Sequence, residues 1–135
     1  MSLLKAVIDT NILVSSLLTS GPPAVIADLV ADKKIIPFYS VLILEEYHDV
    51  LLRKKFNFNP TQVNRLIDDI VRVGFAVEGK PSVKNKNVDK DDIIFYNAAI
   101  EAKAFLVTGN LRHFPQEKFI VSPGQFLSHF GKQQA

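Results

Sequence analysis

Five short apolar runs, separated by segments of helical periodicity and turn-forming residues, limit this chain to one architecture. The runs cover residues 3–8, 35–39, 75–77, 105–107 and 119–121. Most are continuously apolar rather than alternating, as strands covered on both faces of a parallel sheet are. Pro37 weakens the second, because proline cannot donate to a ladder. Between them, helices are expected over 12–18, 24–32, 41 to about 54, and 91–103, with another from Pro60-Thr61 to the stop at Gly74. Pro23 suits a first helical turn, Ser40 is a good N-cap, and Val63, Leu66, Ile67, Ile70 and Val71 follow the i, i+3, i+4 pattern. Ser122-Pro123 opens a last short helix. Residues 79–87 are polar and rich in breakers, and read as a mobile loop. Strand and helix alternate throughout. The expected fold is an α/β/α three-layer sandwich around a short, mainly parallel sheet, with function at the carboxyl ends of its strands.

Length and composition narrow the functional classes. The 135 residues form one expected domain, 1–135, with 47% hydrophobic and 22% charged residues, the mix of a folded chain rather than a disordered one. The absence of cysteine excludes a disulfide framework, a zinc-thiolate site and a cysteine nucleophile. Asp9 interrupts the first apolar run before a signal-peptide core could form. No run approaches the roughly 18 to 20 apolar residues of a membrane span, so a cytoplasmic protein is expected. Sixteen Lys and Arg against fourteen Asp and Glu give a net +2. Basic residues gather at Arg53-Lys54-Lys55 and along Lys80, Lys84, Lys86 and Lys90, while Asp89, Asp91 and Asp92 bunch together. With four acids drawn into a metal site, sixteen cations would face ten remaining acids, a surface that suits a polyanion.

Carboxylates recur where strands end and helices begin. Asp9 follows the first strand and Asn110 holds the equivalent place after the fourth. Asp89, Asp91 and Asp92 open the apolar helix, and Glu45-Glu46 interrupts another. Taken singly, each has a bland role: Asp9 or Thr10 as a cap, the aspartates as partners of a helix dipole, the glutamates as solvated residues. Together they differ, because a parallel sheet brings its strand ends to one edge. Clustered carboxylates repel one another unless a cation intervenes, and oxygen ligands alone select Mg²⁺ or Mn²⁺ over zinc. His48, His113 and His129 lack ligand spacing and are read as helical or surface residues.

At this level the sequence resembles a family. Leu4-Lys5-Ala6-Val7-Ile8-Asp9-Thr10-Asn11 is similar to the opening of PIN-domain ribonucleases. Leu44-Glu45-Glu46-Tyr47 followed by Val50-Leu51 resembles that family's helix with its acid. Asp89-Lys90-Asp91-Asp92 leading to Ala98-Ala99, then Leu106-Val107-Thr108-Gly109-Asn110 and His113-Phe114-Pro115, resembles its third block. The order and separation of the blocks agree over nearly the whole chain.

The resemblance implies an endoribonuclease for single-stranded RNA that uses Mg²⁺ or Mn²⁺, often the toxin of a bacterial toxin–antitoxin pair. Carried over by position, Asp9, Glu46 and Asp92 are its catalytic metal ligands, with Asp89 auxiliary and Thr10, Asn11 and Thr108 supporting the ligands or the attacking water. Glu46 is chosen over Glu45 because the family's acid precedes a bulky apolar residue and then a pair like Val50-Leu51. Asn110 departs from the pattern where many members carry a fourth acid. An amide oxygen can still ligate but lends no charge, so one ion, or a weakly held second, is expected. A homodimer or a small antitoxin partner is also implied, with Leu17, Leu18, Phe126 and Phe130 as candidate contacts.

Two rivals remain. A phosphatase with Asp9 as nucleophile would normally carry a second aspartate two residues on, where Asn11 stands. A non-catalytic module of the same fold would bind RNA or a protein without cutting. No Gly-x-Gly-x-x-Gly follows the first strand, which counts against a dinucleotide-binding domain.

Overall fold

A computed structural model describes residues 3–82 and 88–134. The first strand, β1 (Lys5–Ile8), is followed by α1 (Thr10–Leu18), α2 (Pro22–Ala31), β2 (Ile36–Tyr39), α3 (Val41–Leu51), α4 (Pro60–Val73) and β3 (Phe75–Ala76). Then come α5 (Ile93–Ala102), β4 (Phe105–Val107), a 3₁₀ turn at Leu111–His113, β5 (Ile120–Val121) and α6 (Pro123–Gln134). The five strands form one sheet in the order β3-β2-β1-β4-β5, and every pairing is parallel.

That order decides the layers. The chain steps outward from β1 to β2 to β3, then returns across the sheet to place β4 beside β1. Right-handed crossovers therefore put α5 on the face opposite to the helices of the outward steps. α5 packs against β1, β2 and β4, whereas α2 contacts α1, α4 and α6. Val7, Ile8, Leu106 and Val107 in the central strands are wholly buried, as are Phe95, Tyr96, Ala98 and Ala99 of α5. No single described helix is long and apolar enough to cross a membrane.

Pro37 lies inside the sheet. Ile36 N–H donates to the Leu4 carbonyl on the β1 side, so the position where proline lacks its N–H faces the β3 side. Pairing with β3 begins only at Phe38, and no bond is missed. In place of a strand, Gly74 fits against Pro37 there. A Cβ on Gly74 would lie 2.1 Å from the Pro37 carbonyl oxygen and 2.7 Å from that of Ile70. Both obstacles are backbone and cannot swing aside. Gly74→Ala is expected to lower stability by about 3 kcal/mol in urea unfolding; a loss below about 0.5 kcal/mol would contradict this packing.

Several boundaries differ from the expectations. α3 ends at Leu51, not near Lys54, and a turn follows in which Asn57 adopts φ 51°, a left-handed conformation asparagine tolerates. α5 starts at Ile93, because the Asp89 carbonyl accepts from Asp92 and Ile93 N–H and closes a preceding turn. α6 has 12 residues rather than being short. Phe126 is fully buried, which removes it as a docking residue, and Phe130 packs against the core, whereas Leu18 is 61% exposed.

The expected mobile loop is tethered where it is described. The Glu101 carboxylate accepts from the N–H groups of Glu78, Gly79 and Lys80 at 2.9–3.0 Å. Ser82 N–H donates to Asn97 Oδ1 at 3.1 Å. Residues 83–87, including Lys84 and Lys86, lie outside the described residues.

Candidate active site

The strand order reverses between β1 and β4, and the carboxyl ends of strands at such a switch point are where α/β sheets bind ligands. Asp9 stands directly after β1 and Thr108 directly after β4. Asp9 N–H donates to the Val107 carbonyl at 3.0 Å, which continues the ladder by one bond. The Thr108 hydroxyl donates to Asp9 Oδ2 at 2.8 Å and accepts from Asn110 N–H at 3.0 Å. Asn11 Nδ2 donates to the same carboxylate oxygen at 3.2 Å, and Asn11 Oδ1 accepts from Gly109 N–H at 3.0 Å. Asn11 thus clamps the end of β1 to the turn after β4.

Asp9 is buried, and burial pushes its carboxyl up to about 6. The Thr108 hydroxyl pulls the other way, as do the backbone N–H groups of Thr10 and Asn11, while the charge of Asp92 adds to the rise. Asp92 stands at the start of α5 with its side chain 17% exposed. It too is pushed above the ordinary carboxylate range, first by burial, against the lowering effect of His113 and with repulsion from Asp89 and Asp91. The charge of Asp92 is therefore felt at Asp9, a carboxylate from a distant part of the chain.

Glu46 is placed differently. It is half-buried on α3 and lines a groove with Glu45, Asp49, Lys90 and Asp91. Its neighbour Tyr47 is buried and donates its hydroxyl to the Ile8 carbonyl, beside Asp9. Burial, with the charges of Asp9 and of the adjacent Glu46, pushes the Tyr47 phenol up. Among the described residues, no three His, Cys, Asp or Glu side chains are gathered tightly enough to hold an ion. Asp89 is exposed and closes the turn before α5 through its backbone carbonyl, and Asn110 is exposed at the rim.

His113 is the residue the sequence reading missed. Its Nδ1 lies 3.2 Å from Asp92 Oδ2, so the imidazole orients a site carboxylate instead of serving as a surface residue alone. Three positions past Asn110, it is brought back by the 3₁₀ turn, in which His113 N–H donates to the Asn110 carbonyl. No periodicity announces such a turn.

A hard divalent cation fits this donor set. Asp9 and Asp92 offer only oxygen, repel each other, and are both held above their ordinary range by burial, a state that a cation between carboxylates relieves. The Thr10 hydroxyl is buried with no hydrogen-bond partner, which ordinarily costs about 1–3 kcal/mol and leaves a donor for a bound water.

The profile of the PIN domain family matches residues 5–112. The chain is 34% identical over 113 residues to the uncharacterized protein MJ1680 of Methanocaldococcus jannaschii, covering 79% of this chain and 71% of that protein. No solved structure shows a significant match.

Proposed function

The chain belongs to the PIN domain family, and we propose that it is an endoribonuclease that cuts single-stranded RNA with Mg²⁺ or Mn²⁺. PIN domains have a nuclease-like fold and are generally metal-dependent ribonucleases. The observation that carries the proposal here is the buried Asp9 at the switch point of the sheet, its carboxyl raised further by the charge of the half-buried Asp92.

Asp9, Asp92 and Glu46 would hold the cation, with Asp89 and Asn110 as further oxygen donors. When bound, the cation supplies a water of lowered pKa and offsets charge on the phosphate. The protein's own groups fix the carboxylates: Thr108 and Asn11 hold Asp9, and His113 holds Asp92. Each carboxylate so fixed need not reorganise during reaction, which is where such bonds act. The exposed Leu18 on α1 is the contact we propose for a second copy or for a small antitoxin, in a toxin that acts in the cytoplasm.

A second reading, a non-catalytic module that binds RNA or a protein, is favoured by the absence of a three-acid cluster among the described residues. One assay separates the two. Incubation of labelled single-stranded RNA with the Mn²⁺-loaded protein should yield endonucleolytic fragments, suppressed by EDTA and absent with a duplex. RNA retained without cleavage at every Mn²⁺ concentration would decide for the module.

A further inference from the structure

The grooves on the two sides of Asp9 and Thr108 are electrically unlike. On the α3 side the groove beyond Glu46 is lined by Glu45, Asp49 and Asp91 against the single cation Lys90. On the other side, beyond β4 and β5, lies a cleft of about 480 Å³ lined by Gly109, Asn110, Arg112, His113 and Ser122, with no carboxylate. Arg112 and Leu111 also line the next cleft, with Gln116, Glu117, Lys118 and Gln125, so the two clefts adjoin, and together they are called the channel below. It begins at His113, whose Nδ1 contacts Asp92, and passes Arg112 to reach Lys118. Arg53 and Arg72 pair with Asp49 and Asp69, but Arg112 has no carboxylate partner among the described residues. Glu117 is the carboxylate of the second cleft, where it accepts from the Tyr96 hydroxyl at 2.6 Å and stands against the two cations Arg112 and Lys118.

We infer that the backbone of single-stranded RNA runs along this channel, with phosphates against Arg112 and Lys118, and avoids the acidic groove beside Glu46. A polyanion gains from the first path and is repelled along the second. His113 stands at the junction. Its contact with Asp92 ties the position of the carboxylate to the wall along which the strand lies. Arg112 and Lys118 are side chains suited to phosphate, so the part of binding that they supply should depend little on sequence. This inference rests on the ribonuclease reading, since it names the path of that enzyme's substrate.

The test is fluorescence anisotropy of a labelled single-stranded oligoribonucleotide in EDTA, where cleavage is off, alongside cleavage with Mn²⁺. The double substitution Arg112→Ala, Lys118→Ala should weaken binding about tenfold. It should also flatten the dependence of log affinity on log salt by roughly 1.4, for two single-strand phosphate contacts at about 0.7 each. Arg112→Lys with Lys118→Arg should restore both. Glu45→Gln with Asp49→Asn should change affinity less than about twofold. Unchanged affinity in the alanine pair, with a wild-type protein that binds and cuts, overturns the channel and leaves the nuclease intact. Marked tightening in the Glu45, Asp49 pair also overturns it, because the strand would then cross the acidic groove. A wild-type protein that neither binds nor cuts RNA overturns the ribonuclease reading and the channel with it.

Discussion

Asp92→Asn should slow Mn²⁺-dependent cleavage of single-stranded RNA by on the order of 100-fold, about 2.7 kcal/mol of barrier, while RNA affinity stays within about threefold. Asparagine keeps the shape of aspartate, and its amide oxygen can still accept from His113 Nδ1, which lies 3.2 Å from Asp92 Oδ2. The start of α5 rests on the Asp89 carbonyl and not on the Asp92 side chain, so the fold loses nothing. Only the negative charge goes. A loss confined to turnover therefore reports the charge itself. A parallel loss of RNA binding would mean that Asp92 acts on the substrate directly, and unchanged cleavage would remove it from the site.

Asp9→Asn should stabilise the metal-free protein near neutral pH, an inversion of the usual effect of altering a buried polar residue. The sign follows from proton linkage. The Asp9 carboxyl is raised from 3.8 to about 6, so the folded chain holds this proton more tightly than the unfolded one. Ionisation through that window then disfavours folding: the wild-type protein loses stability as pH rises from about 4 to about 6 and does not regain it above. A displacement of this size corresponds to about 3 kcal/mol, or roughly 10 °C in Tm for a chain of this length. Asparagine cannot ionise and still accepts from Thr108. Thermal unfolding in EDTA should show the variant more stable at about pH 7.5 and the two equal at about pH 4. With excess Mn²⁺ the order should reverse, because a cation that binds only the folded state stabilises the wild type. A variant less stable than wild type at about pH 7.5 in EDTA would show that burial does not strain this carboxylate.

The parts of the site that were legible in advance follow from strand position alone. Asp9 and Thr108 each come directly after the last residue of a buried run, and a parallel sheet delivers both to the same edge. Asp92 was legible because acids before an apolar helix must lie at that helix's start. Glu46 was not placed by this logic. Its spacing on α3 says which residues share a face, but the groove it lines is set by how α3 crosses the start of α5. His113 was missed because a 3₁₀ turn of three residues leaves no pattern in hydropathy. Phe126 illustrates the converse error: an aromatic near the end of the chain resembles a docking residue until α6 proves to cover β4 and bury it. Pro37 within the sheet depended on which side of β2 its missing N–H would face, a matter of register invisible in composition.

Calorimetric titration of the metal-free protein with Mn²⁺ at about pH 7.5 asks whether the pair Asp9 and Asp92 seats a cation. Saturable uptake by the wild-type chain, largely lost in both Asp9→Asn and Asp92→Asn, is the expected result. Equal uptake by all three proteins, or none by a wild-type protein that cuts RNA in EDTA, would contradict it.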